Sequence, residues 1–101
     1  MNQLNSIILE GVVKTVINDT MVSIGVTRKY KNENGEWQYH VSHFDCSNVR
    51  YPNIQVGDQV RIVGRLHQEF SHGKSIIQVV AEHTERLRKR NKNELHENSQ
   101  I

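Results

Sequence analysis

A single cysteine, Cys46, and a single proline, Pro52, occur in the 101 residues. One thiol cannot form an intrachain disulfide and cannot supply the cysteine pairs of a structural zinc site. Long apolar runs are also missing. Hydrophobic residues make up 36%, and no stretch approaches the roughly 18 residues of a membrane-spanning helix. The N-terminus, MNQLNSIILEG, lacks the basic start and long apolar stretch of a secretory signal, so a cytoplasmic protein with no membrane association is expected. The six histidines, His40, His43, His67, His72, His83 and His96, include no tight pair and no zinc-ligand spacing, so no metal and no other cofactor is expected. No long amphipathic helix can be traced.

The charge that is present is unevenly placed. Met1 to Ala81 holds eight Lys/Arg and seven Asp/Glu, a balance of 8 − 7 = +1. RLRKRNK, Arg86 to Lys92, then holds five basic residues and no acid before Glu94 and Glu97 follow. Such a segment attracts phosphate backbones, or is simply a solvated tail.

β-Branched residues in short runs between turn signals make up the rest. Ser6 to Ile17 is one run, with Gly11 inside it marking a bulge or bend. Met21 to Tyr30 sets Val22, Ile24 and Val26 against Ser23, Gly25 and Thr27, the period of a half-buried strand. KNENGE, with Asn34-Gly35, is a hairpin loop, and WQYHVSHFDC, Trp37 to Cys46, is the returning strand. SNVRYPNIQVGD reads as a loop. Gln59 to Glu69 is a fourth strand with Gly64 at a bend, FSHGKS is a turn, and Ile76 to Ala81 is a fifth strand. Thr84 onward suits a short helix or tail, with disorder expected beyond Asn91. Five strands with short connections predict an all-β protein, a small closed or nearly closed barrel. Its domain spans residues 1–87, and a basic then polar tail, expected to be disordered, occupies 88–101.

Several local motifs fail on context. HGKS, His72 to Ser75, resembles the end of a phosphate-binding loop, but Gln68 stands where glycine is needed and a strand follows instead of a helix. Asn18-Asp19-Thr20 matches a glycosylation acceptor without a secretory context. Cys46 could pair with a histidine as a nucleophile, or lie buried and inert beside Phe44. Asp45 and His43 share a face, yet no nucleophile or oxyanion donor accompanies them, so no enzyme activity is expected.

The third strand carries Trp37, Tyr39, Val41 and His43 on one face and Gln38, His40, Ser42, Phe44 and Cys46 on the other, with Phe44 and Cys46 assigned to the core. Aromatic rings interleaved with cations are what single-stranded nucleic acid needs, rings for its bases and cations for its phosphates. The candidate stacking residues are Tyr30, Trp37, Tyr39, His43 and Phe70. The candidate phosphate partners are Arg28, Lys29, Lys31, Arg61, Arg65 and Lys74. An oligomer interface at Trp37 and Tyr39, or a hairpin-closing role for Phe70, would use the same residues differently.

From about Leu4 to Leu87 the chain resembles the bacterial single-stranded DNA-binding protein family, whose fold is the five-stranded OB barrel. The resemblance rests on NSIILEG, VSIGVTRKYKNENGEWQ, VSHFDC, VGDQVRIVGRL and IIQVVAEHTERL, in the family's order. It implies coating of single-stranded DNA in replication, recombination or repair, a homodimer or homotetramer, and stacking roles for Tyr30, His43 and Phe70. The family's tryptophan-glycine-lysine segment and helix between strands 3 and 4 are replaced by SNVRYPNIQ, which removes one stacking aromatic unless Tyr51 substitutes. The proline-acid pattern after strand 1 is absent. The chain ends in ENSQI, not in an acidic Pro-Phe-tipped tail, so enzyme recruitment through such a tail is not expected. A short form of this kind also resembles primosomal replication protein N, an adaptor that binds single-stranded DNA and docks replication-restart proteins.

If RLRKRNK tracks phosphates, truncation after Leu87 should lower both the affinity for oligothymidine and its salt dependence. Unchanged binding in a salt titration would assign the segment to solvent.

Overall fold

β1 (Ile7–Asn18) closes the molecule on itself because it pairs twice. Its first half, Ile7 to Val12, runs antiparallel to β4 (Gln59–Ser71), and its second half, from Val12, runs antiparallel to β2 (Met21–Lys31). With β3 (Trp37–Ser47) and β5 (Lys74–Arg88) the strands form a closed barrel in the order β1-β2-β3-β5-β4. The computed structural model describes residues 3–88, and every regular element among them is a strand.

Gly11 makes the double pairing possible. A Cβ at this position would run into the Gly25 carbonyl and come within 2.8 Å of Ile24 Cγ2. Gly64 does the same for β4, where a Cβ would strike the Val80 carbonyl. Extra residues at Lys14 and Ile17 in β1, and at Glu82 and Leu87 in β5, shift the register and bend these strands around the barrel.

The interior is small and aliphatic. Val13, Val22, Ile24, Val60, Ile62 and Val79 are fully or almost fully buried, together with Cys46, Val49 and Ala81. Alternation explains most of this set, since Val22 and Ile24 in β2 and Val60 and Ile62 in β4 lie two residues apart on the inward face. Val49 is an exception. It lies in the segment between β3 and β4, donates its N–H to the Thr20 carbonyl at 2.8 Å and packs into the core. That segment, 48–58, plugs one end of the barrel with Val49 and Ile54.

The plug is tied down by an ion pair between buried Asp58 and half-buried Arg86. Asp58 is 2% exposed, and its Oδ2 accepts from the Gln55 N–H at 2.9 Å and lies 3.3 Å from Arg86 Nη2. The same Nη2 donates to the Asn53 carbonyl at 2.9 Å, and the guanidinium sits 4.9 Å from the Tyr51 ring centre. Gly57 N–H and the Asp58 carbonyl complete the seam, each bonded to Val13 at 2.9 Å.

Two expectations are corrected. The segment from Thr84 is neither helix nor tail as far as Arg88. It continues β5, with Thr84 opposite Ile62 and Arg86 opposite Val60. A helix there would forfeit this pairing and withdraw Arg86 from Asp58. Phe44 is not a core residue. It shares the inward face with Cys46 but lies farther up β3, where β3 has left β5, and it is 37% exposed. The remainder of the expected tail, residues 89–101, lies outside the described residues.

Arg86→Met should remove the guanidinium that faces buried Asp58 and holds the Asn53 carbonyl, and lower stability by about 3 kcal/mol, read as a fall in the urea midpoint. Arg65→Met on the exposed barrel wall should leave the midpoint nearly unchanged.

Candidate nucleic-acid interface

Two hairpins rise from the barrel. In the first, β2 and β3 stay paired from Val22↔Cys46 to Lys31↔Trp37, and only the lower pairs cover the core. The five residues from Asn32 to Glu36 close it. Asn32 Oδ1 accepts from the Asn34 and Glu36 N–H groups at 2.9 Å each, and Gly35 adopts a φ of 78°. The Asn34-Gly35 signal therefore marks the turn, but Asn32 organises it. In the second hairpin, β4 and β5 pair from Leu66↔Val79 to Ser71↔Lys74. Its two-residue turn, His72-Gly73, has positive φ at both positions, 52° and 77°, as a type I′ turn requires.

Register divides the residues of the first hairpin between two faces. Lys31↔Trp37, Lys29↔Tyr39 and Gly25↔His43 are directly opposite pairs, so these side chains share one face. Lys29 Nζ lies 4.5 Å from the Trp37 ring centre and 5.8 Å from that of Tyr39, and Lys31 Nζ lies 5.0 Å from Trp37. Both rings remain exposed, Trp37 at 56% and Tyr39 at 67%. Tyr30 does not join them. It pairs with Gln38 on the opposite face, where Arg28, Tyr30 and His40 line a hollow of about 370 Å³ that Lys31 borders at the hairpin end.

His43 lies farther down β3, at the rim of a groove between β3 and the second hairpin. Phe70 is 76% exposed near the tip of that hairpin, opposite Ser75, with Lys74 closing the final pair.

The six expected phosphate partners are not equivalent. Lys29 and Lys31 stand over rings, Arg28 lines the Tyr30 hollow, and Lys74 is exposed at the hairpin tip. Arg61 instead lies on the barrel wall between two carboxylates. Its Nε and Nη2 both reach Glu10 Oε1 at 2.8 Å, and its Nη1 lies 3.5 Å from Glu85. The hydrogen bond that Arg61 donates to Glu10, then the charge of Glu10, raises the guanidinium pKa further, and the triad carries a net negative charge. Arg65 faces Glu82 at 3.7 Å. The arginines of this wall are therefore already engaged by carboxylates, while the cations of the hairpins face rings and solvent.

Two further sequence readings can be placed. Tyr51 has one face occupied by Arg86 and serves the barrel plug. Asn18, in the glycosylation-like triplet, accepts the Thr20 N–H at 2.9 Å and shapes the β1–β2 turn. Among the described residues no group of three His, Cys, Asp or Glu side chains could hold a metal ion. Sequence reading missed the lysine–ring contacts and the Asp58–Arg86 pair. The first would have followed from aligning the strands across a five-residue loop, whereas no local signal announces the second.

A closed five-stranded barrel whose β1 pairs with both β2 and β4 is an OB fold, and solved structures share it. The single-stranded DNA-binding protein of Thermus aquaticus, in a deletion-mutant form, matches with a TM-score of 0.70 and 20% identity over 86% of this chain and 52% of that one. The Plasmodium falciparum single-stranded DNA-binding protein, in its complex with single-stranded DNA, matches with a TM-score of 0.64 and 17% identity over 88% and 97%. The dimeric N-terminal domain of a PriB protein from Thermoanaerobacter tencongensis matches with a TM-score of 0.50 and 20% identity over 84% and 98%. No family model and no curated protein sequence matches the chain.

Cys46 is fully buried, and its thiol is pushed up to about 12 from an ordinary 9.0, first by burial and then by the charge of Asp45. It is an inert core group, not a nucleophile. Because the folded form holds the proton more tightly than the unfolded chain, its contribution is complete below pH 9 and is lost as pH rises toward 12. The difference in urea midpoint between wild type and Cys46→Ala should accordingly be flat below pH 9 and shrink above it.

Proposed function

We propose that this protein binds and coats single-stranded DNA with little sequence preference, as a non-enzymatic component of replication, recombination or repair. The observation that carries this reading is the exposed face on which Lys29 and Lys31 lie directly against Trp37 and Tyr39. A base stacking on Trp37 would displace a lysine from the ring, and the displaced ammonium would be free to meet the adjoining phosphate. Stacking and charge neutralisation are thus built from the same side chains, and neither requires a particular base. Tyr30 with Arg28 on the opposite face, and Phe70 with Lys74 on the second hairpin, extend the path. Arg61 and Arg65 do not belong to it, because carboxylates already engage them.

Self-association into a dimer or tetramer is part of the reading, supported by the dimeric solved domain of the same fold. A cytoplasmic setting suits the single buried, reduced cysteine. The second reading, an adaptor that binds the strand weakly and docks replication-restart proteins, rests on the likeness to the PriB domain, the weakest of the three fold matches described. Occluded site size and pull-down of replication proteins separate the two.

Oligothymidine should quench Trp37 fluorescence at low salt, with affinity falling as salt rises by a log–log slope of about 0.7 per phosphate contacted. Lys29→Gln and Lys31→Gln should each reduce that slope, and Arg61→Gln should not. In an anisotropy titration His43→Trp should tighten binding, since a larger ring replaces a smaller one. Absence of both quenching and anisotropy change at low salt would refute the proposal.

A further inference from the structure

The barrel wall between β3 and β5 is nearly missing. These strands pair only at Cys46↔Val79 and Ser47↔Val80, and above that seam they diverge. The opening is a groove of about 360 Å³, within the range of small-ligand sites. Its apolar lining includes Phe44, Leu66 and Ile77, and His43, Asp45 and Gln78 supply its polar groups. These three apolar residues are partly solvated, with Phe44 37%, Leu66 45% and Ile77 67% exposed. This is apolar surface held open between two hairpins that both carry candidate stacking rings.

We propose that this groove is a subsite for one unstacked base of the bound strand, taken out of line between the two hairpins. The inference rests on the single-stranded DNA reading above. The choice of occupant follows from charge. No lysine or arginine lines the groove, and one carboxylate does, so a phosphate is repelled while a neutral ring is accepted. An aromatic and two aliphatic side chains offer the ring its faces. Gln78 provides an amide donor and acceptor, and Asp45 an acceptor, for the polar edge of a base, the pattern by which unstacked bases are held. Continuity adds a second reason. His43 stands at the rim and shares its strand face with Tyr39 and Trp37, so a strand crossing the first hairpin reaches the groove without leaving the protein.

The subsite can be tested with the full chain and a short oligothymidine carrying one 5-iododeoxyuridine, irradiated and sequenced by tandem mass spectrometry. Adducts at Phe44 or within residues 76–78 are expected. In parallel, Ile77→Glu places a carboxylate in the lining, and Ser75→Glu places the same charge two residues nearer the tip on the same strand face. Ile77→Glu should weaken oligothymidine binding about tenfold more than Ser75→Glu, the loss of roughly one stacked base. Adducts confined to Tyr30, Trp37, Tyr39 or Phe70, with equal effects of the two variants, would overturn the subsite and leave strand binding intact. A lower particle mass for Ile77→Glu, with no adduct in the groove, would also overturn it and assign the groove to a second copy of the chain. No binding of oligothymidine by the wild type would overturn both readings.

Discussion

Everything in this molecule depends on β1 serving two partners. A strand of twelve residues cannot follow β4 over one half and β2 over the other unless it bends sharply, and Gly11 supplies the room for that bend by letting the Gly25 carbonyl approach its bare Cα. Once β1 has closed that side, β2 and β4 are fixed on either side of it and can pair outward with β3 and β5. The two hairpins are the result. Their lower pairs enclose an aliphatic core, and their upper pairs extend beyond it with side chains that nothing in the barrel needs.

This division sets where function can reside. Buried side chains are small and apolar apart from Asp58, whose pairing with Arg86 holds the plug of residues 48–58. The outer wall formed by β1, β4 and β5 engages its arginines with carboxylates, Arg61 with Glu10 and Glu85 and Arg65 with Glu82. Rings without a packing duty and cations without an acidic partner collect on the hairpins. Lysine against tryptophan is a modest attraction, about 0.5–1 kcal/mol at an exposed site. That is small enough to be exchanged for a base.

Much of this was legible in the sequence, because four strands obey simple alternation and their turns carry Asn-Asp, Asn-Gly and His-Gly. β2 and β3 differ from their expected spans by single residues. β5 was cut short at Ala81 because the extra residue at Glu82 breaks its period, and EHTERL then resembles a polar helix more than a strand. Alternation alone could have separated Tyr30 from Trp37, since Tyr30 is in phase with Val22 and Ile24. Phe44 also obeys parity, yet burial depends on how far along β3 the barrel extends, which no periodicity encodes. Val49 and the Asp58–Arg86 pair were hidden because their partners lie on distant strands and their own segment has no period.

The short β3–β5 seam has one more consequence. Closure normally removes the exposed backbone edges that let sheets grow from one molecule to the next. Here closure is complete only at the base. Above Cys46, the side of β3 away from β2 has no strand partner among the described residues, and the side of β5 away from β4 has none from Lys74 to Gln78. The barrel therefore keeps two short edges facing each other across the groove. His43 and Asp45 on one edge and Lys74 on the other are the polar guards against strand addition. At this point of the fold side chains guard the backbone edge, where the rest of the barrel relies on pairing.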